Sequence, residues 1–260
     1  MLTIKKYNRL ALLMVLSLNS ALAADLNRVQ VEQLLAKATN EQRADLRRKD
    51  LTDLDLSGLD FRHADLWGSD LRRANFSHTN LAGLNLDLTV MTNTNFSYAD
   101  LSNTSVFGVH VANANFSYAN LSGSRFIATL DKANFSHANL SHINWGADMK
   151  NQSMGLMNAK LNNVNFSDAN LSHANLERAT LRNANLSNSN LHNALLFGVD
   201  LSGASLKAAN LSNTDLSGAQ FEDTDFTGAN VEKTRFTGVQ DLTKLKGLQT
   251  AKNFNLAIFK

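Results

Sequence analysis

A large apolar residue stands at every fifth position along most of this 260-residue chain. Leu46, Leu51, Leu56, Phe61 and their successors through Phe126 fill 17 consecutive fifth positions with Leu, Phe, Met or Val. The beat breaks, resumes at Leu156 and runs to Phe236, again 17 of 17. A chain that is 43% hydrophobic does not hold such a rhythm by chance. On an α-helix five residues turn about 500°, so the apolar positions would drift around the barrel by roughly 140° per step. In a flat strand an odd period throws every second apolar residue onto the opposite face. One geometry keeps them all inside: the chain turns a corner every five residues, and four steps close a square coil of about twenty. Stacked coils then pair their backbones at about 4.8 Å, and each buries its apolar side chains against its neighbours, as in solenoids.

A second register agrees. Two residues before each large apolar residue sits a compact one, as at Ala44, Ala64, Ser69, Ala74, Thr79, Ala169, Ala174 and Ala219. Both positions must point inward, and a narrow interior has room for one large side chain per wall. Leu54, Leu59 and Leu84 are larger exceptions. Between the two stands Asp or Asn, at 13 of 17 repeats in the first run and 10 of 17 in the second. Short polar side chains there can bond the turn backbone.

The resulting pattern, A-(D/N)-(L/F)-(S/T/R)-x, is clear in Ala114-Asn115-Phe116-Ser117-Tyr118 and Ala169-Asn170-Leu171-Ser172-His173. With it the chain resembles the pentapeptide-repeat family over about residues 44–239. The resemblance implies an all-β fold, a right-handed quadrilateral β-helix. Residues 44–239 make nearly ten coils, a rod of roughly 45–50 Å at the strand spacing.

Residues 1–23 read as a secretory signal peptide. Lys5, Lys6 and Arg9 precede an apolar run from Leu10 to Leu18, and Ala21-Leu22-Ala23 offers a small-x-small cleavage site. The run is too short for a stable membrane span, so no stable membrane insertion is expected after cleavage. Cleavage leaves 22 Lys and Arg against 23 Asp and Glu, a charge of −1 in place of +2. A basic-protein argument for nucleic acid fails on that count. Zero Cys removes disulfides and thiolate metal sites, and zero Pro fits a chain that uses its backbone N–H groups in ladders. Asn-x-Ser triplets such as Asn75-Phe76-Ser77 recur because the turn needs them. A bacterial periplasmic or secreted location is the simplest home.

Short helical caps are expected at both ends. Residues 24–43 contain a helix from Asp25 to Ala38, with Asp25 as its cap, covering the open edge of the first coil. Residues 240–260 drop the beat, and Leu242, Leu245, Leu248 and Ala251 are spaced for a helix face. In proteins similar to these repeats the C-terminal element can also mediate homodimers. Between the ends the coil is irregular at 127–134, where Phe126 to Phe135 is one residue short, and at 146–155, where Trp145 to Leu156 is one too long. Trp145 falls at an inward position that looks too narrow for an indole. The segment 146–155 reads as a bulged loop, and loops on regular scaffolds often carry recognition.

Residues twenty apart share a face. His78, Tyr98, Tyr118 and, where the one-residue slip at 127–134 is local, His137 form one outward column, an aromatic ladder with hydrogen-bonding tips suited to binding a protein or a sugar. Self-stabilising stacking along the rod is the competing reading. Trp67, Asp87, Phe107 and Ile127 form a second column of large outward residues, a contact patch unless shielded. The candidate protein-binding residues are therefore His78, Tyr98, Tyr118, His137, Trp67 and Phe107. His110 and His192 stand apart, His137 and His142 flank a corner too widely to chelate, and no metal or other cofactor is expected. No nucleophile triad, phosphate loop or carboxylate pair is recognisable, and a filled interior leaves no cleft for catalysis. The chain reads as a non-catalytic exported scaffold binding an unknown protein partner and no nucleic acid. The alternative that the resemblance carries is a cytoplasmic DNA mimic that binds gyrase. It requires an acidic face, whereas Arg47, Arg48, Arg62, Arg72 and Arg73 crowd the early coils. A second alternative, an enzyme or ligand binder using the 146–155 loop, has no residue support.

Overall fold

The computed structural model describes residues 24–146, 158–239, 242 and 245–260. Parallel bridges join each wall to the wall twenty residues on: Asp50 to Asp70, Asp55 to Asn75, Asp60 to Asn80 and Asn85 to Ser105. Four walls of five residues thus close one turn, and the next turn stacks upon it. The large apolar residues lie inside. Leu181 and Leu201 are fully buried and Phe221 is 6% exposed, in one column. On another wall Phe76, Phe96, Phe116, Phe135 and Phe166 pile up with ring centroids 4.7 to 5.5 Å apart.

The five-residue unit works because it uses every backbone N–H. In Ala74–His78 the Ala74 N–H closes a turn on the Leu71 carbonyl, and the Asn75 N–H reaches the Leu54 carbonyl of the coil before. The Phe76 and His78 N–H groups donate to Asn95 and Ser97 of the coil after. The remaining donor, Ser77 N–H, bonds the Asn75 Oδ1 at 3.1 Å. This is the turn-backbone role expected of the Asp/Asn position. No donor is left over, so a proline, lacking one, would break the unit almost anywhere. The amides also run along the rod. Asn75, Asn95, Asn115, Asn134, Asn165 and Asn185 each donate from Nδ2 to the Oδ1 one coil earlier, at 3.0 to 3.3 Å.

The corner sits one residue later. His78, Tyr98, Asn103, Arg178 and their equivalents have φ near +60°. A positive φ in the third of four turn residues is the mark of a type II turn. For a residue with a side chain this conformation costs roughly 1–2 kcal/mol relative to the right-handed region. Gly58, Gly83 and Gly123 take it freely.

The helix α1 spans Arg28–Leu35, and its N-cap is Asn27, not Asp25. Asn27 accepts from the Gln30 N–H while Gln30 reaches back, a reciprocal capping box. Asp25 is used elsewhere: its N–H donates to the Asp50 carbonyl and its Oδ2 accepts from the Asp50 N–H. Arg28 donates to the Asp55 and Ser57 carbonyls at 2.9 and 3.1 Å. These acceptors and donors are the ones that a preceding coil would have used. Val31 of α1 is fully buried.

Among the described residues, four short strands appear along the walls. β1 (Ala44–Asp45) pairs with β2 (Ala64–Asp65), and β3 (Ser105–His110) pairs with β4 (Arg125–Thr129). The first irregularity lies in the second pair. Between Phe107 and Val109 the register shifts, because β4 is one residue shorter. The offset falls to nineteen, as at Asn115 to Asn134. It then becomes thirty-one, from Thr129 to Lys160 through Asn144 to Asn175. Sixteen residues therefore separate the Asn144 wall from the next wall at Lys160, and the described beat resumes at Leu161. The expected resumption at Leu156 and most of the 146–155 loop lie outside the described residues, as does the 1–23 segment. Trp145 corrects the expectation of a tight fit. It is fully buried, edge-on to Phe135 and Phe166 with centroids 5.6 Å from each, and the tilt makes room that stacking would not.

The C-terminal end also departs from expectation. Among the described residues 245–260 no α-helix forms. The wall ladder continues instead through Asp225 to Lys246, Asn230 to Lys252 and Arg235 to Ile258. Its steps are six residues, and the extra residue is taken up by single 3-10 turns at Leu248–Thr250 and Phe254–Leu256. Apolar residues spaced by threes satisfy this arrangement as well as a helix. Gly247 (φ +74°) begins the change, and a Cβ there would lie 2.6 Å from the Thr227 backbone. Asp225 anchors the segment to Lys246 at 2.9 Å. Burial disfavours the Asp225 carboxylate, but the Thr227 hydroxyl and N–H and the Lys246 ammonium outweigh it and hold its pKa well below the usual range.

Two consequences are measurable by denaturation. Asn115→Ala strands the Ser117 N–H and cuts the amide ladder, so it should cost about 1–3 kcal/mol, and Asn115→Asp less. Asp225 ionises more readily folded than unfolded, so its contribution is full above about pH 5 and falls as acid protonates the unfolded chain first. The stability gap between wild type and Asp225→Asn should therefore narrow as pH falls from 5 to 2.

Candidate functional site

The four corners of the coil carry the variable residues. They are named here by the turn residues of one coil: corner one at 67–68, two at 72–73, three at 77–78 and four at 82–83. Side chains at the two turn positions face outward, Ile127 excepted, and repeat about every 4.8 Å along the rod.

Corner three brings together His78, Tyr98, Tyr118 and His137. Their rings stack in parallel at 4.9, 4.8 and 4.6 Å, with interplanar angles of 4°, 1° and 9°. Tyr98 and Tyr118 remain about half exposed, at 53% and 49%. All four have φ near +60°, so the same backbone turn aims every ring outward. Gly58 precedes the column without a side chain, and at the other end His137 Nε2 lies 4.0 Å from Asp168 Oδ2. Parallel stacking consumes the ring faces within the column. Along its length the ladder offers solvent a row of edges with phenol and imidazole tips, which is hydrogen-bonding surface.

Trp67 and Phe107 do not join this ladder. They stand on corner one, diagonally across the rod. Arg48 lies over the Trp67 ring at 5.0 Å, and Arg125 over Phe107 at 5.6 Å, so both aromatics are half-buried. Their column is broken twice. Asp87 accepts a hydrogen bond from Ser105 Oγ at 3.0 Å. Ile127, expected outward, is only 1% exposed, because the shortened β4 draws it under cover beside Val109 and Ala128.

The structure adds features that the sequence reading passed over. On corner four His142 stacks on His173 at 4.7 Å and 4°, and His192 meets His173 edge-on at 6.1 Å, so His192 is not isolated. The stacked pair was legible once the thirty-one-residue offset is known, since 173 follows 142 by that number. On corner one Arg178 covers Phe197 at 5.5 Å, repeating the Arg48–Trp67 arrangement nineteen residues apart. Leu195 and Phe197 leave 45% and 42% of their surface exposed. The early arginines are largely neutralised: Arg47 pairs with Asp45, Arg62 with Asp60, Arg72 with Asp70 and Arg73 with Asp53. No group of three or more His, Asp or Glu among the described residues is placed to hold a metal.

A family model for pentapeptide repeats matches in eight copies, over residues 38–68, 69–105, 108–144 and, in overlapping copies, 156–239. The chain belongs to the pentapeptide-repeat family. Solved relatives are distant. HetL, a pentapeptide-repeat protein involved in heterocyst differentiation regulation in the cyanobacterium Nostoc sp. strain PCC 7120, is 24% identical. That likeness covers 80% of this chain and 96% of HetL at a TM-score of 0.42. QnrB1, a plasmid-mediated fluoroquinolone resistance protein, is 20% identical over 78% of this chain and 92% of its own, at 0.41. Rfr23 of the cyanobacterium Cyanothece 51142 is 26% identical over 49% and 64%, at 0.33. No curated protein matches.

Stacked aromatic contacts are worth about 0.5–1.5 kcal/mol each. Tyr98→Asn with Tyr118→Asn keeps residues that tolerate the left-handed turn and removes all three ring contacts. The double variant should stay folded by circular dichroism and lose about 1.5–4 kcal/mol in urea titration.

Proposed function

We propose that this pentapeptide-repeat chain is a non-catalytic exported scaffold that binds another protein through an outer face of a right-handed square rod. The signal segment directs it to the periplasm or beyond. The N-terminal helix covers the first coil, and the last, six-residue-step coil closes the other end or meets a second copy. The observation that carries this reading is the corner-three ladder. Four rings are held rigid at one-coil spacing with their polar tips toward solvent, and such pre-organised aromatic edges lose little entropy on binding. Among the described residues the interior columns are packed with Leu and Phe, which supports the non-catalytic part. DNA mimicry would call for rows of unpaired carboxylates. The pairing of Asp45, Asp53, Asp60 and Asp70 with arginines speaks against it.

Tyr98→Ser combined with Tyr118→Ser should abolish crosslinked partner capture in intact cells, read by mass spectrometry, while the rod remains folded. Unchanged capture would remove corner three as the binding face. Fractionation should find the processed protein outside the cytoplasm, and a cytoplasmic protein would revive the mimicry reading.

A further inference from the structure

The first wall bears a groove that the ladder does not explain. It lies between corners four and one, is lined by Arg43, Arg47, Ala64, Asp65, Trp67 and Asn85, and holds about 390 Å³. Its charges are unequally committed. Arg47 Nε and Nη2 are engaged by Asp45 at 2.9 and 3.2 Å, and Nε also faces Asp65 at 3.6 Å. That fork is occupied. Arg43 is exposed and has no carboxylate partner among the described residues. Arg48, stacked on Trp67, has none either.

The Asn85 amide is less committed than those of Asn75, Asn95 and Asn115. Its Oδ1 accepts from the Asp87 N–H at 2.8 Å, as the turn demands. Its Nδ2 makes no bond to Asp65 one coil earlier, although Asn75, Asn95 and Asn115 all make the equivalent bond. The groove therefore holds one spare guanidinium and one spare amide donor beside an indole, with a second cation on the indole face.

We propose that this groove receives an acidic side chain, flanked by an apolar one, from a peptide segment of a partner protein. The chemistry favours a single carboxylate. With Arg48 engaged on the Trp67 ring, the Arg43 guanidinium and the Asn85 N–H2 complement one carboxylate, while the Asp45 and Asp65 carboxylates would repel a phosphate dianion or a polyanion. The shape favours a side chain presented by a larger partner. Small-molecule sites bury most of their ligand, and this groove is open along the wall. The apolar neighbour would rest on Trp67, whose ring is fixed by Arg48. The proposal rests on the protein-binding reading, but it uses the wall between corners four and one, not corner three.

The test uses the full chain and the fluorescence of Trp67. Trp145 is fully buried and supplies a constant background. An acetylated octapeptide of alternating glutamate and leucine is titrated into the protein, with the glutamine-for-glutamate peptide, inorganic phosphate and phosphatidylglycerol vesicles in parallel. The acidic peptide should give a saturable shift in emission, and the other three should not. Arg43→Gln, whose substitution is at an exposed position, should weaken the acidic peptide about tenfold, and Asn85→Ser should weaken it less. Equal response to the neutral peptide, a stronger response to phosphate or vesicles, or no effect of Arg43→Gln would overturn the proposal. If Arg43→Gln still captures its cellular partner while no peptide binds, the groove assignment falls and the protein-binding reading stands. Loss of capture only in the tyrosine double variant gives the same separation.

Discussion

A backbone that turns a corner every five residues must satisfy five N–H groups per corner, and everything else in this rod follows from how it does so. Four donors are met by backbone carbonyls, two of them in the coil after, one in the coil before and one within the turn. The fifth is met by the Asp or Asn side chain two residues earlier in sequence. That requirement explains the recurrence of Asp and Asn better than solubility does. It also fixes the register, because the same amide that closes the turn touches its counterpart one coil away. The apolar column inside and the amide columns on the wall are two readings of one constraint.

The walls were legible from the sequence because their period is unusual and nearly unbroken. The inward Leu and Phe, the compact partner two residues before and the Asp/Asn role all emerge from counting. The corners were less legible. The left-handed residue at each turn is Tyr, His, Arg or Leu as often as Gly, so no glycine rhythm announces it. Tertiary pairing on both sides overrides the local preference at those positions. The C-terminal end misled for a related reason: Leu242, Leu245, Leu248 and Ala251 fit three-residue spacing, which a helix and a six-residue coil step share. Trp145 misled through its volume, since edge-on packing admits a ring that stacking would exclude.

The candidate surfaces divide in the same way. Counting by twenty, with the one-residue slip before His137 allowed for, placed His78, Tyr98, Tyr118 and His137 in one column, and the rings stack along it. It also placed Ile127 outward, where a one-residue register shift reverses the result. Arginines that cover aromatic rings from a neighbouring coil could not be read from column membership alone, because the contact crosses from one column to the next at nineteen residues or backwards at eighteen. A regular rod thus writes its individuality in the two turn positions of each corner. There the stacked ladder, the three arginine-covered aromatics and the histidine pair each occupy a definite edge.

Engineered disulfides test the coil most directly, and the native chain has no cysteine to interfere. Neighbouring coils at about 4.8 Å fall within the Cα separations that a disulfide bridges. Ser97→Cys with Ser117→Cys should oxidise to an intramolecular bond, and so should Ser136→Cys with Ser167→Cys, thirty-one residues apart. Phe107→Cys with Ser117→Cys, half a coil apart, should stay reduced. Bond formation in the ten-residue pair, or its failure in the other two, would contradict a four-sided coil of five-residue walls.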